Sequence, residues 1–111
     1  MNLEIAVETA GQWQVLNLRG RIDAASANAF DKSLRALIAS GASRILINCA
    51  DLRYVSSVGI GMIVECSKLA TASGSCMSFA GINPHVKNVF EMVGFVELFE
   101  MYPSVEEALR K

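Results

Sequence analysis

The stretch Arg44–Thr71, RILINCADLRYVSSVGIGMIVECSKLAT, decides the fold because a strand pattern leads in it to a helix pattern. Arg44–Ile47 is short, β-branched and continuous, which is typical of a strand covered on both faces of a parallel sheet. Asp51–Ser57 is predicted to be a connecting loop. From Val58 to about Thr71 apolar residues almost encircle a helix, which we expect to be the most buried helix. This order predicts a strand–loop–helix unit of an α/β protein.

Two predicted strands precede this unit and form a hairpin. Leu3–Val7 alternates apolar and polar residues, which indicates a half-buried strand. Ala10–Gln12 is a turn, and the second strand runs from Trp13 to Leu18. Its apolar phase slips at Leu16, which indicates a bulge or burial on both faces. Gly20 is predicted to break this strand.

Capping residues and apolar spacing predict three more helices. Apolar residues recur at helical spacing between Ala27 and Ile38, and Asp23 or Ser26 can cap that helix. Asn83-Pro84 is a helix start, and Gly94 stops the helix that follows. Ser104–Glu107 is a capping box that opens a short final helix.

Two further strands complete the pattern, at Cys76–Ala80 and, more weakly, at Val96–Tyr102. Strands that alternate with helices favour parallel crossovers. The predicted fold class is therefore α/β, with a mixed β-sheet (an N-terminal antiparallel hairpin, then parallel strands) and about four α-helices. We expect residues 1–111 to form a single domain.

Composition excludes several classes of function. The chain has 111 residues, is 52% hydrophobic, and carries a formal net charge of −1, so it lacks the basic excess of a nucleic-acid groove. No apolar run approaches the roughly 20 residues that span a bilayer, and the N-terminus lacks the regions of a signal peptide. We expect a cytoplasmic protein with no direct nucleic-acid contact and no membrane insertion.

The cysteines give no sign of a metal site or of disulfides. Cys49, Cys66 and Cys76 are odd in number, lack metal-ligand spacing and lie in apolar runs, so we expect three small buried thiols. With His85 as the one histidine, a metal centre would need ligands from all over the chain. We expect neither metal nor cofactor.

The junction between the central strand and helix carries an unusual group of residues. Ser56 and Ser57 lie at the predicted N-cap, and Gly59 and Gly61 follow in the first turn, although glycine is a poor helix former. One interpretation is a regulated serine, because the positive end of a helix suits an anion. The other is a plain N-cap, with glycines that let the helix pack closely on the sheet. Both remain open.

Enzyme motifs are absent from this junction. Its glycines fit neither a dinucleotide fingerprint nor a phosphate loop, and Gly-x-Ser-x-Gly does not occur. Asp23, Asp51 and His85 are possible acids or bases, but no spacing places them together. We therefore expect a protein that is not an enzyme, and keep a small enzyme as the alternative class.

The chain resembles the STAS domain of anti-sigma-factor antagonists along nearly its whole length, from about Leu3 to the C-terminal helix. The resemblance rests on four segments: Gly20-Arg21-Ile22-Asp23; Ile45-Leu46-Ile47-Asn48 leading to Asp51-Leu52; Ser57-Val58-Gly59-Ile60-Gly61; and Gly94-Phe95. It implies a bacterial STAS fold and a phosphorylation-controlled binding module.

The resemblance also implies partners and residue roles. Such a module binds an anti-sigma factor that is a serine kinase of the GHKL ATPase type, and releases it when phosphorylated; a metal-dependent phosphatase reverses the modification. By position the phosphorylated residue is Ser57. Asp23 matches an aspartate of the family's partner surface. We expect the partner-binding residues to be Asp23, Arg21, Arg53, Tyr54, Ser56, Val58, Gly59, Ile60 and Met62.

Two residues depart from the family pattern. Ser56 replaces the aspartate that commonly precedes the phosphorylated serine, which makes Ser56 the second candidate for modification. Val58 replaces the serine or threonine that commonly follows. These departures leave an alternative function: a STAS subunit that docks, without phosphorylation, on an ABC-transporter ATPase or in a signalling assembly.

The C-terminal aromatic residues leave the oligomeric state open. Phe95, Phe99, Met101 and Tyr102 could form an exposed patch for dimerisation, or be buried by a strand. We expect a monomer or a weak dimer.

Overall fold

The computed structural model describes residues 2–111, so Met1, the first residue of the predicted domain 1–111, lies outside the described residues. Within that range the elements follow the predicted order of a hairpin and then alternating helices and strands. They are β1 (Leu3–Ala10), β2 (Trp13–Ile22), α1 (Ala27–Ala39), β3 (Arg44–Val55), α2 (Ser57–Ala72), β4 (Cys76–Ala80), α3 (Pro84–Met92), α4 (Phe95–Leu98), β5 (Glu100–Tyr102) and α5 (Val105–Leu109).

The strands of the described chain form one mixed sheet in the order β1-β2-β3-β4-β5. β1 and β2 are antiparallel, and every later pairing is parallel. This confirms the predicted sheet. The short helix α4 is added to the four predicted helices. Among residues 2–111, no helix has both the length and the apolar character needed to cross a membrane.

Both faces of β2 are buried, which explains the phase slip at Leu16. Leu16 and Leu18 belong to the main core, which the apolar sides of α1, α2 and α3 share. Trp13 and Val15 belong to a second, smaller core with Ala108 of α5. The interpretation of burial on both faces is confirmed.

The prediction of a loop over Asp51–Ser57 is wrong for most of these residues, which belong to β3. β3 continues to Val55 because Asp51, Leu52, Tyr54 and Val55 pair with the end of β2, and Leu52 and Val55 are buried. Only Ser56 separates β3 from α2. Polar residues in this stretch alternate with apolar ones, so a half-buried strand end resembled a loop.

Gly20 does not break β2, which continues to Ile22. Its φ is +116°, and the strand is irregular on either side of it. A side chain at Gly20 would collide with the Asn2 carbonyl, which accepts a hydrogen bond from the Arg21 N–H (2.8 Å). Glycine therefore lets the backbone just before β1 pass close to β2 while β2 continues.

Val96–Tyr102 is not a continuous strand. Gly94 adopts a left-handed conformation (φ +78°), after which Phe95–Leu98 forms α4 and Glu100–Tyr102 forms β5. Phe95 is buried against Phe90, with ring centroids 5.2 Å apart. Burial of this ring holds the chain in a helical turn where a weak strand was predicted.

The predicted burial of α2 and of the cysteines is correct in part. α2 buries one face, through Gly59, Ile63, Cys66 and Ala70, whereas Val58 is 48% exposed. It is therefore not enclosed on all sides. Cys49 and Cys66 are buried free thiols, as predicted, but Cys76 is exposed: it is the first residue of β4, before the part of β4 that pairs with β5.

We predict that a thiol reagent labels Cys76 first in the folded protein. Burial raises the pKa of Cys49 to about 12 and that of Cys66 to about 11, so both stay protonated and shielded at neutral pH. Mass analysis of the labelled peptides checks this, with Cys76→Ser as the control. Rapid labelling of Cys49 or Cys66 without denaturant would contradict the described packing.

Candidate functional site

The serine pair lies where β3 ends and α2 begins. The Ser56 N–H donates to the Ile22 carbonyl (2.8 Å), which fixes the junction to the end of β2. Ser56 is the N-cap of α2, and its Oγ accepts a hydrogen bond from the Gly59 N–H (3.2 Å). The plain capping role considered for the pair thus belongs to Ser56.

Ser57 differs from Ser56 in every respect that matters for modification. It is the first residue of α2 and is exposed, and its hydroxyl makes no hydrogen bond to any other residue in the 2–111 range. The first turn of a helix carries unpaired N–H groups and partial positive charge. An anion on Ser57 would therefore meet a favourable field without displacing a cap.

The two glycines of α2 have different environments. A Cβ at Gly59 would lie 2.6 Å from Cγ2 of Ile22 and 3.1 Å from Cγ1 of Val55, so Gly59 allows the helix to seat on the sheet. A Cβ at Gly61 would meet open space. Close packing within the fold explains Gly59, while Gly61 leaves bare backbone on an exposed face.

Asp23 organises the turn between β2 and α1. Its Oδ1 accepts hydrogen bonds from the Ala25 and Ser26 N–H groups (3.0 and 3.1 Å). The Asn2 side-chain amide donates to Oδ2 (3.1 Å) and, with these N–H groups, lowers the pKa of the Asp23 carboxyl. Ser26 is the formal N-cap of α1 but makes no capping hydrogen bond through its side chain; its hydroxyl donates instead to the Arg21 carbonyl (2.7 Å).

Arg21, Tyr54 and His85 form a stack beside the serine pair. The Arg21 guanidinium carbon lies 4.4 Å from the Tyr54 ring centroid. The His85 ring stacks on Tyr54 with centroids 6.5 Å apart and an angle of 21° between the planes. His85 was considered in the sequence only as a possible acid or base, and no sequence signal links it to Tyr54. The stack presents polar aromatic surface that suits protein contacts.

A polar cleft of about 700 Å³ opens next to this stack. Its charged lining residues are Arg19, Arg21, Arg53, Glu4 and Asp51. Asn83 forms part of the wall and joins two elements: its amide donates to the Leu52 carbonyl and its Oδ1 accepts from the Val86 N–H, both at 2.8 Å. The lining contains both cations and anions, so the cleft favours polar contacts over burial of apolar groups.

Most residues predicted for partner binding lie at this end of the sheet. Val58 is exposed, and Arg53 lines the cleft. Ile60 and Met62 are half-buried and pack against the main core, so much of each side chain is used within the fold. The site adds Asn2, Gly61, His85 and Asn83 to the residues predicted for partner binding.

The geometry offers no assembled catalytic group within the described residues. No hydrogen bond or ion pair among residues 2–111 joins Asp23, Asp51 and His85, and the Asp23 carboxylate is occupied by its own turn. That range also contains no cluster of three or more metal-ligating side chains. The arrangement can present a shaped surface that includes the exposed Ser57 hydroxyl.

Comparison with known proteins gives consistent results. The family model described as STAS domain matches residues 4–108. BtrV of Bordetella bronchiseptica, named as a candidate anti-sigma factor antagonist, is 29% identical over 91 residues, which cover 82% of this chain and 78% of the relative. An anti-sigma factor antagonist from Mycobacterium paratuberculosis superposes with a TM-score of 0.88 at 19% identity, over 97% of this chain and 92% of the other.

A further solved structure is SpoIIAA of Bacillus, a cell fate determinant, in its phosphorylated form. It superposes with a TM-score of 0.76 at 21% identity, over 96% of this chain and 97% of the other. At these identities the solved structures show a common fold.

We predict opposite effects of Gly59→Ala and Gly61→Ala on stability. At Gly59 the new methyl group collides with buried Ile22 and Val55, and overpacking should lower the free energy of unfolding by about 1–2 kcal/mol. At Gly61 there is open space, so the helix preference of alanine should raise it by up to about 1 kcal/mol. Urea denaturation of both variants measures this; equal effects would contradict the described seating of α2.

Proposed function

The chain belongs to the STAS domain family, and we propose that it acts in the cytoplasm as an anti-sigma factor antagonist built from this single domain. In this proposal the unmodified protein sequesters an anti-sigma factor that is also a serine kinase of the GHKL type. Phosphorylation of Ser57 releases that partner, and a metal-dependent phosphatase restores binding. The relatives' names support the antagonist role. The chain's own task would be binding rather than catalysis.

The observation that carries this proposal is that Ser56 and Ser57 have different structural roles. Ser56 holds the helix cap, while Ser57 presents an exposed hydroxyl at the first helical position. A kinase can reach Ser57 without opening the fold. Modification of Ser56 would instead turn the Oγ that accepts from the Gly59 N–H into a phosphoester oxygen, so the existing cap would have to rearrange.

The partner would contact the surface around Ser57. Val58 offers an exposed apolar side chain, and Gly61 leaves backbone that a partner can approach closely. The turn at Asp23 and the Arg21–Tyr54 pair supply polar contacts at the border. Apolar contact surrounded by oriented polar groups is the usual anatomy of a protein interface.

A phosphate group on Ser57 would change this surface without changing the fold. It adds roughly −1.5 to −2 charges at neutral pH, which the N-terminus of α2 stabilises. The partner would meet added bulk and a desolvation cost at the centre of its contact. A loss of about 3 kcal/mol in binding is roughly a hundredfold rise in Kd.

We predict that charge at Ser57 abolishes capture of the partner. Wild-type protein and Ser57→Ala, immobilised and exposed to native cell lysate, should both retain an ATP-binding anti-sigma factor, whereas Ser57→Asp should lose most of it. Quantitative mass spectrometry of the retained proteins measures the difference.

A matched control is Ser73→Asp, because Ser73 is an exposed serine at the other end of the same helix. It should capture the partner as wild type does. Equal capture by Ser57→Ala and Ser57→Asp would refute the switch, and capture of a transporter ATPase by both would favour the alternative role as an accessory subunit.

We further predict a single phosphate on Ser57 when the protein is incubated with ATP and native cell lysate. Ser57→Ala should stay unmodified. Ser56→Ala should still be modified on Ser57, because the wild-type Ser56 hydroxyl caps the helix and is not the proposed target. Intact-mass and fragment analysis locate the group. A phosphate on Ser56, or none under any condition, would overturn the assignment.

A further inference from the structure

A second surface, far from the serine pair, exposes large apolar side chains. Met92 is 86% exposed and Leu98 70%, and Val93 and Val96 are also exposed. We call the surface of residues 92–98 the 92–98 face. Single exposed apolar residues are ordinary, but four within seven consecutive residues form a patch that marks an interaction surface.

The fold holds this face in place without using its side chains. Gly94 turns the chain, and the buried rings of Phe90 and Phe95 lie 5.2 Å apart directly beneath the turn. Phe90 also contacts Phe79 of the sheet, at 5.2 Å between ring centroids. The exposed side chains therefore stand on a packed base, which lowers the entropy lost when a partner binds.

An apolar groove of about 350 Å³ extends the face toward β5. Val96 belongs to both, and Phe90, Met101 and Ile82 form the groove walls. Lys87 also lines the groove. Together the groove and the face offer a continuous seat for apolar side chains presented by one helix.

Apart from Lys87 in the groove lining, the charge of the segment that forms this seat is negative. Residues 88–109 contain five glutamates and no lysine, arginine or aspartate. Since the whole chain has a formal net charge of −1, the residues outside 88–109 have a summed formal charge of +4. Glu91, Glu97 and Glu100 are exposed beside the face, and the Glu100 carboxylate accepts a hydrogen bond from Tyr102 at the groove wall.

The face lies at the opposite end of the sheet from Ser57. Glu100 pairs with Ser78, which pairs with Leu46, nine residues before Val55 along β3. At about 3.3 Å per residue that separation is roughly 25–30 Å along the strand. A protein seated on the 92–98 face would leave the Ser57 surface free.

We propose that the 92–98 face binds a basic amphipathic helix of a partner protein, with apolar side chains on the face and lysine or arginine opposite Glu91, Glu97 and Glu100. The negative charge of these glutamates favours a basic helix over the other possible occupants of the face. A second copy of the chain meeting the same face would bring like charges together. An anionic lipid surface would be repelled for the same reason. This inference does not depend on the proposed role of Ser57.

The test uses a fluorescein-labelled amphipathic helix with leucine on one face and lysine on the other, added to the full chain at low salt. Fluorescence anisotropy measures affinity, and amide chemical shifts locate the contact. We expect shifts confined to residues 88–102, binding that weakens with added salt, and no binding of a matched leucine–glutamate helix.

Matched variants separate specific docking from general attraction. Leu98→Ser should weaken binding about 10-fold by removing an apolar contact. Glu97→Lys should weaken it, while Glu107→Lys should not, although each glutamate is the third residue of a short helix. Ser57→Asp should leave the affinity unchanged.

Four outcomes would overturn the proposal. The first is the absence of binding, and the second is an equal loss of binding in Glu97→Lys and Glu107→Lys. The third is concentration-dependent dimerisation that Leu98→Ser abolishes, which would make a second copy the occupant. The fourth is co-sedimentation with phosphatidylglycerol vesicles that depends on Leu98.

Discussion

The close approach of α2 to the ends of β2 and β3 is the constraint on which the rest of this structure depends. Gly59 makes it possible, because any side chain there would enter the space of Ile22 and Val55. The hydrogen bond from the Ser56 N–H to the Ile22 carbonyl joins the backbone of the β3–α2 junction to the end of β2 at the same place. Helix, strand ends and the Asp23 turn are thereby held as one rigid corner.

Much of the architecture could be read from the sequence because its signals are local. The period-two pattern of Leu3–Val7, the Asn83-Pro84 start and the Ser104 cap each depend on neighbours in the chain, and the structure confirms them. The STAS resemblance then supplied what local patterns lack, namely the role expected of Ser57.

The predictions from sequence were wrong where contacts between residues far apart in the chain determine the local structure. Asp51–Val55 became strand because β2 offers paired hydrogen bonds there, and Phe95 took a helical turn because its ring is buried beneath Gly94. The His85 stack on Tyr54 joins elements 31 residues apart, so no spacing rule could find it. Exposure of Cys76 likewise depends on pairing within the sheet, because β5 begins to pair with β4 only at Ser78.

The distribution of charge suggests how one small domain can serve more than one contact. Its net charge is close to zero, yet the acidic residues cluster toward the C-terminal region while arginines gather around the cleft. If both proposed contacts form, the opposite ends of the molecule would favour partners of different charge. Size alone would not predict such polarity in a chain of 111 residues.

Capping by Ser56 rather than by its neighbour has a consequence for timing. If the hydroxyl that caps the helix also carried the phosphate, each cycle of modification would rearrange that cap. If Ser57 is the modified residue, as proposed, the phosphate can be added and removed while Ser56 keeps the cap of α2 in place. The speed of any response would then be set by the modifying enzymes and never by refolding.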